Sequence, residues 1–313
     1  MMRFLALLML AGNIYAAEPP VDIDTAAKIY QAAQEREQVR ASLGTMPKQV
    51  REMFTRGVSI KLSDEQLAAV TAAAERGFRI DVFEAPALAA LAQNLDATTV
   101  AKSLAFLASD LGKRMVAADV ASAELGEDNI DKVMNGEVKT PSTPKRDAIF
   151  DKLERATRST ESTVDIFLSM GQAVAVGTAI GSGTDQQSVA DRARKSGEAG
   201  RAELEENMRI PMRRFLAYSY RDLSDSDLKH LLAFLLSPTG VRYVAAYNAS
   251  MGAGYDAMGK RTGEQLGESL RELAQVQPPA MANHPPPDAG ESPVPQAPAP
   301  APAPAPAPPA PPH

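Results

Sequence analysis

The chain has 313 residues, with 24 Pro, no Cys and no Trp, and a formal net charge of −6. The absence of Cys excludes disulfides and thiolate metal sites. The negative charge argues against nucleic-acid binding, which requires a clustered basic surface. A chain of this length accommodates two ordered units of ordinary domain size. Few residues are aromatic, so the core must be built from Leu, Ala, Val, Ile and Met, most of which favour helices.

The first 17 residues have the pattern of a secretory signal peptide. Met1–Arg3 supplies a short positive segment, Phe4–Ala11 is apolar, and Ala16 and Ala17 offer small residues for cleavage. The apolar stretch is too short to span a bilayer comfortably. No Cys lies near the cleavage point, which excludes lipoprotein processing. We therefore expect a periplasmic or secreted protein. The alternative is that these residues form a buried N-terminal helix.

Helical periodicity and capping residues predict several helices after this segment. Ser63 begins a capping box, and Asp96 and Ser109 each precede an apolar-faced segment. Helices are expected over Ile23–Leu43, Lys48–Phe54, Leu67–Ala74, Ile80–Leu95 and Ala97–Ala108, with another opening at Asp110.

One stretch of the chain occurs twice. Leu104–Ser122 (LAFLASDLGKRMVAADVAS) returns 128 positions later as Leu232–Ser250 (LAFLLSPTGVRYVAAYNAS), with the same residue at 12 of 19 positions. Shared Ala and Leu carry little information, but composition does not explain shared Phe, Ser, Gly and Arg at constant spacing. The repetition predicts two homologous units, residues 18–140 and 145–275, separated by a loop with Gly and Pro.

The second unit repeats the order of the first. Lys152–Met170 lies 124 positions after Lys28–Met46, and the change of offset to 128 indicates a short insertion, placed at Gly181–Asp185. Gln186–Tyr220 is expected to be helical, with a bend or break near Pro211. Ser224 is expected to cap the next helix, and Ser237-Pro238 to begin the last one.

These patterns predict an all-α fold of two tandem units, packed as a bundle or as an irregular array. Ala173–Ile180 (AVAVGTAI) alternates like a strand, but the longer apolar run around it favours a buried helix. Residues 277–313 hold 16 of the 24 prolines. Such a composition cannot form a core, so we expect a disordered, extended tail rich in Pro and Ala.

The repeated stretch contains a turn motif between two helices. The motif Phe234-x-x-Ser237-Pro238-x-Gly240 resembles the signature of a family of bacterial exported helical domains of unknown function. The first copy has Asp110 where the second has Pro. The resemblance implies an all-helical fold and an envelope or secreted location, and it implies no catalytic residue. The turn residues that we assign a structural role are Phe106, Ser109, Gly112, Arg114, Phe234, Ser237, Pro238, Gly240 and Arg242. The two arginines are expected to close local ion pairs or to bond loop carbonyls.

Few residues suggest chemistry. His230 is the one His outside the N- and C-terminal segments, and a metal site needs several ligands at defined spacing. Gly181-Ser182-Gly183 lacks the pattern of a nucleophile elbow, whereas Gly177 and Gly181 have the spacing of close helix contacts. We predict no catalytic, cofactor-binding or metal-ligating residue.

A cluster of arginines, at positions 209, 213, 214 and 221, lies near two tyrosines. Such a cluster can bind anionic lipid or polysaccharide. The neighbouring carboxylates favour the simpler interpretation of a solvated face of mixed charge.

We expect a non-enzymatic exported protein of the cell envelope that acts as a helical interaction module, with an envelope protein or cell-wall component as partner. The tail would serve as spacer or tether. One alternative is a membrane-surface protein that uses the Gly-rich apolar helix 166–183 and the arginines of 209–221. Another is a hydrolase with an unrecognised site.

Overall fold

The structure is a computed structural model that describes residues 19–44 and 63–276, together with residues 46, 48, 51 and 55. Within these residues the chain forms twelve α-helices and no strand, so the prediction of an all-α fold is confirmed. The predicted signal peptide (1–17), the predicted Pro/Ala tail (277–313) and most of the predicted helix Lys48–Phe54 lie outside the described residues.

The helices of the first half are α1 (Ile23–Ala32), α2 (Glu35–Leu43), α3 (Asp64–Gly77), α4 (Ile80–Asn94), α5 (Ala97–Ala108), α6 (Asp110–Ala123) and α7 (Glu127–Asn135). Those of the second half are α8 (Pro144–Thr157), α9 (Ser159–Ser182), α10 (Gln186–Ser219), α11 (Asp225–Leu235) and α12 (Pro238–Val276). Polar side chains begin many of them. Asp96, Ser109 and Ser224, for example, each accept a hydrogen bond from a backbone N–H of the first turn.

One left-handed residue divides the predicted helix Ile23–Leu43, and another separates two consecutive helices of the second half. Gln34 (φ 52°, ψ 38°) separates α1 from α2, and Arg158 (φ 52°, ψ 37°) separates α8 from α9. They are the two non-Gly residues with positive φ in the described part of the chain. This conformation is costly for any residue with a Cβ. Its recurrence 124 positions apart, the offset seen in the sequence, is therefore a structural correspondence between the two halves.

Helix α10 continues through Pro211 instead of breaking there. A proline inside a helix removes one backbone hydrogen bond and costs about 3 kcal/mol. Helix α10 packs against α7, α8 and α9, which offsets that cost. The prediction underestimated these tertiary contacts, which are not visible in a local pattern.

Helix α12 is the centre of the molecule. It packs against α9 and α11 of the second half and against α3, α4 and α5 of the first half. The chain up to Val276 accordingly forms one compact unit. Its core contains fully buried side chains from both halves, among them Ile29, Phe83, Leu91, Phe150, Leu153, Leu228 and Met258.

Helices α9 and α12 run parallel, because the residues in contact follow the same order along both helices. Asn248 of α12 donates to the carbonyl of Thr157, which ends α8 just before α9 begins, and Ser169 of α9 donates to Asp256 further along α12. Beyond that point the two backbones touch. A Cβ added to Gly263 would overlap the carbonyl oxygen of Val174, and Gly177, Gly181 and Gly267 are equally close to the opposite backbone. The predicted Gly-x-x-x-Gly pair thus forms a close helix contact.

Candidate functional site

The predicted turn residues form two helix junctions of the same geometry. At the α5–α6 junction, Ser109 Oγ donates to Phe106 O at 2.6 Å and accepts from Gly112 N at 3.1 Å. At the α11–α12 junction, Ser237 Oγ makes the equivalent bonds to Phe234 O and from Gly240 N, again at 2.6 and 3.1 Å. The serine therefore satisfies an orphan carbonyl of one helix and an orphan N–H of the next.

Glycine is required three residues after each serine. A Cβ on Gly112 would overlap Phe106 O, and a Cβ on Gly240 would overlap Phe234 O. The neighbouring Pro238 lies at the first position of α12, where Asp110 begins α6. Both residues suit a first helical turn, Pro through its fixed φ and Asp through the helix dipole.

The two junctions also contact each other. The rings of Phe106 and Phe234 are stacked, with centroids 3.8 Å apart and planes at 3°. Arg114 donates two hydrogen bonds to Asp227 at 2.7 and 2.9 Å, near the N-terminus of α11. Its counterpart Arg242 pairs with the buried carboxylate that caps α5, Asp96.

These ion pairs were expected to be local, but each arginine reaches a helix N-terminus in the opposite half of the chain. The exchange is reciprocal, and the stacked phenylalanines join the same two junctions. The residues predicted as a turn therefore form one of the contacts between the halves.

A cavity of about 580 Å³ lies between the two halves. We call it the central cavity. Its walls are mostly apolar and aromatic, with Met, Ile, Leu, Val, Phe and Tyr side chains from α6, α9, α10, α11 and α12. The few polar groups include Asp119, Asn248 and several hydroxyls. A volume of this size with few polar groups has the character of a small-molecule site.

Equivalent positions of the two halves line the central cavity. Four pairs are 128 positions apart and three are 124 apart. The pairs are 115/243, 116/244, 119/247, 123/251, 33/157, 38/162 and 46/170. The residue types differ at most of them. Asp119 of the first half corresponds to Tyr247 of the second, and Met115 corresponds to Tyr243. Equivalent positions of the two halves therefore line the cavity with different side chains.

Asp119 is the one charged side chain among the described residues that line the cavity. Tyr220 donates a hydrogen bond to it. Burial raises the pKa of Asp119 to about 7, and the hydrogen bond from Tyr220 lowers it by a smaller amount. The same burial raises the pKa of Tyr220 well above its usual value, with the charge of Asp119 as the second cause.

A second carboxyl, Glu35, lies close to this region. It is 1% exposed, and neither of its oxygens has a hydrogen-bond partner among the described residues. Burial raises the pKa of Glu35 to about 8. Its charge and that of Asp119 both act on the hydroxyls of Tyr243 and Tyr247, and both raise their pKa values further. Two carboxyls therefore flank the same pair of tyrosines.

The cavity reaches the surface along α9. Phe167 lines it and is nevertheless 61% exposed. Helix α9 is also the one helix in the described part of the chain with the length and apolar composition needed to cross a membrane. In the fold, the glycines in the second half of α9 lie against α12.

The other residues considered for chemistry do not join the cavity. His230 is exposed on α11. Arg209 forms ion pairs with Glu154 and Glu161, and Arg213 pairs with Asp151, so α8 and α9 supply their partners. Arg214 donates to Met134 O, and Arg221 to Tyr218 O. No cluster of potential metal ligands occurs among the described residues.

Sequence reasoning missed the residues that line the cavity. One signal was available, since four of the seven tyrosines, at positions 220, 243, 247 and 255, come from one short region. Another was an Asp in the middle of the apolar repeat, at a position where the second copy has Tyr. Comparison of the chain with family models, curated proteins and solved structures found no match.

Proposed function

We propose that this protein is an exported, non-enzymatic binding protein that holds an apolar small molecule in the central cavity. The observation that carries the proposal is the cavity itself, about 580 Å³ between the two halves. This volume lies within the range of roughly 300–1000 Å³ typical of ligand sites. Its walls are mostly apolar and aromatic, and its one charged side chain among the described residues, Asp119, interacts with Tyr220.

We further infer that the two halves are tandem copies of one helical domain, of the exported type whose turn signature they resemble. The equal junction geometries support this inference, as do the left-handed residues Gln34 and Arg158. Neither half alone lines the cavity, since equivalent positions of both supply its walls. Duplication followed by divergence at those positions would create the site. A partner in the envelope would receive or deliver the ligand, and the Pro/Ala tail would act as spacer.

A role at the membrane surface is a second candidate. Phe167 projects from α9 where the cavity reaches the surface, and α9 is apolar enough to contact lipid. An opening of this kind would let the protein take its ligand from a membrane. Flotation with liposomes tests this candidate, and Phe167→Ser is expected to reduce any co-flotation.

Binding can be measured with N-phenyl-1-naphthylamine, a neutral dye whose emission rises in apolar surroundings. The chain contains no Trp, so the dye signal is free of indole emission. We expect saturable binding that competes with medium-chain alcohols. Ser162 lines the cavity, so Ser162→Phe should fill part of it and abolish most of the dye signal.

The matched control is Ala101→Phe, which adds a similar ring at an exposed position of α5. It should bind the dye like the unaltered chain. Circular dichroism checks that both variants keep their helical content. Equal, non-saturable dye emission from all three proteins would show that the cavity does not bind apolar molecules.

A further inference from the structure

We propose that the ligand of the central cavity is an organic cation, with an ammonium group held at Asp119 and the tyrosines and an apolar body against the methionine and other apolar side chains. This inference rests on the proposed binding function and specifies the class of ligand. The acidic side chains, the tyrosines and the apolar lining of the cavity support it.

Among the described residues that line it, the cavity has one acidic side chain and no basic one. Asp119 lines the cavity, and none of the described lining residues is Lys, Arg or His. A carboxylate removed from water is costly unless a cation or several hydrogen bonds compensate it. Tyr220 supplies one hydrogen bond. A bound cation would supply the charge that the protein itself does not.

Glu35 adds a second acidic group near the same tyrosines. It is almost fully buried, without a hydrogen-bond partner among the described residues. Its charge acts on the hydroxyls of Tyr243 and Tyr247, as does that of Asp119. A cation bound beside these tyrosines would lie next to aromatic faces and would favour the ionised forms of Asp119 and Glu35.

The tyrosines provide the second element of a cation site. Tyr220, Tyr243 and Tyr247 all line the cavity, and the ring centroids of Tyr243 and Tyr247 are 6.4 Å apart with planes tilted by 39°. Aromatic faces attract ammonium groups, most strongly where water is excluded. A carboxylate combined with several tyrosines is the arrangement that recognises alkylammonium groups.

The rest of the wall fits an apolar body. Met115, Met170, Met251, Ile166 and Phe215 line it. Methionine side chains are flexible and polarizable, so they adapt to ligands of different shape. An anionic head group is disfavoured, because it would meet Asp119 without a basic partner. A neutral head group would not supply the positive charge that favours the ionised form of Asp119.

The test compares three probes that share an octyl tail, namely octyltrimethylammonium, octanol and octyl sulfate, each below its micelle concentration. Isothermal titration of the full chain measures their affinities. We expect the cation to bind at least about tenfold more tightly than octanol, and octyl sulfate to bind most weakly. Asp119→Asn should weaken the cation about tenfold and change the affinity for octanol by less than about twofold.

Asp110→Asn is the matched control, since it removes an exposed carboxylate from the same helix. It should leave all three affinities unchanged. Tyr247→Phe keeps the ring and should retain the preference for the cation, whereas Tyr247→Leu should lose part of it. Thermal unfolding of each variant verifies that the fold is intact.

The outcomes separate this inference from the proposed function. If octanol or octyl sulfate binds at least as tightly as the cation, or if Asp119→Asn leaves the preference intact, the cation assignment is overturned and the binding function stands. If none of the probes binds and the neutral dye does not bind either, the proposed function fails and this inference fails with it.

Discussion

Helices α9 and α12 lie side by side, yet their two ends differ. At the closed end, residues 173–182 of α9 lie against residues 259–267 of α12, and glycines bring the two backbones into contact. At the open end, residues 159–170 and 243–255 of the same helices line the central cavity, with Met, Phe and Tyr side chains. One helix pair therefore provides both a dry contact and a binding site.

The difference shows how a cavity can persist in a close-packed interior. Helix separation depends on the side chains at the contact, and small residues allow the closest approach. An unfilled space tends to collapse when its walls are free to move. Here the closed end fixes the two helices at one end, and the stacked Phe106 and Phe234 fix the two halves elsewhere. The open end cannot close without breaking one of these contacts.

The largest expected effect comes from breaking the closed end. Gly263→Ala places a methyl group on the carbonyl oxygen of Val174, so α9 and α12 must separate. We expect a loss of about 3 kcal/mol in the free energy of unfolding, at the upper part of the range for overpacking. Denaturation in urea measures it. Dye binding should also weaken, because the same helices line the cavity.

Gly252→Ala is the control for this substitution. Gly252 lies in the same helix. Apart from its chain neighbours and the nearby backbone of its own helix, an added Cβ there would have no atom within 4 Å. Ala is the better helix former, so this variant should gain up to about 1 kcal/mol. Equal effects of the two substitutions would mean that the glycine contact is not needed for the closed end.

The open end should make stability depend on pH. Burial raises the pKa of Glu35 to about 8 and that of Asp119 to about 7. The folded state therefore binds protons that the unfolded state has lost, and the free energy of unfolding must fall as pH rises from about 4.5 to 8. We expect it to be at least about 2 kcal/mol lower at pH 8.5 than at pH 5 in the absence of ligand.

Glu35→Gln removes one of these groups and should flatten the profile. The variant should be more stable than the unaltered chain at pH 8.5 and about equal to it at pH 5. Glu37→Gln alters an exposed carboxylate of the same helix and should leave the slope unchanged. Urea denaturation at several pH values provides the measurement. If the free energy of unfolding of the unaltered chain stays constant or rises between pH 5 and 8.5, the inference that these carboxyls are buried and neutral is contradicted.

Local patterns predicted the helices and the junctions, because a capping residue or a turn glycine acts within a few positions of itself. Ser109, Gly112 and their counterparts could be identified because two copies of one motif appear in the chain. The all-α fold followed from the same signals. The contact between the copies did not, since nothing local indicates that Phe106 stacks on Phe234.

The cavity could not be predicted because it depends on distant helices. Asp119 and Tyr247 line one space only after the two halves pack together. The two left-handed residues, Gln34 and Arg158, were missed for a related reason. Neither is a residue type that favours this conformation, so packing between the helices that they join must stabilise it.

The α11–α12 junction lies at the N-terminus of α12, away from the closed end, and it joins the two halves through Phe234. Asp96 and Ser224 are equivalent N-caps of α5 and α11, but Asp96 is buried and also pairs with Arg242. We expect Asp96→Ala to cost about 2 kcal/mol, the upper part of the range for a cap. Ser224→Ala, at the exposed cap, should cost about 1 kcal/mol. Urea denaturation compares them. A larger loss at Ser224 would place the main contact between the halves elsewhere.

The smallest expected effect concerns the aromatic stack between the halves. Phe106→Leu and Phe234→Leu, singly and together, form a double-mutant cycle across a centroid distance of 3.8 Å. Aromatic pairs contribute about 0.5–1.5 kcal/mol beyond their buried area, so we expect a coupling of about 1 kcal/mol. Phe234 and Tyr243, with centroids 6.3 Å apart and planes tilted by 52°, form the reference pair and should couple more weakly. Phe234 is common to both cycles. If only the Phe106–Phe234 pair couples, the aromatic stabilisation acts between the two halves. Coupling in the Phe234–Tyr243 cycle alone would instead show that the Phe106–Phe234 stack adds no stabilisation beyond its buried area. The glycine contact of the closed end would then be the contact that keeps the cavity open.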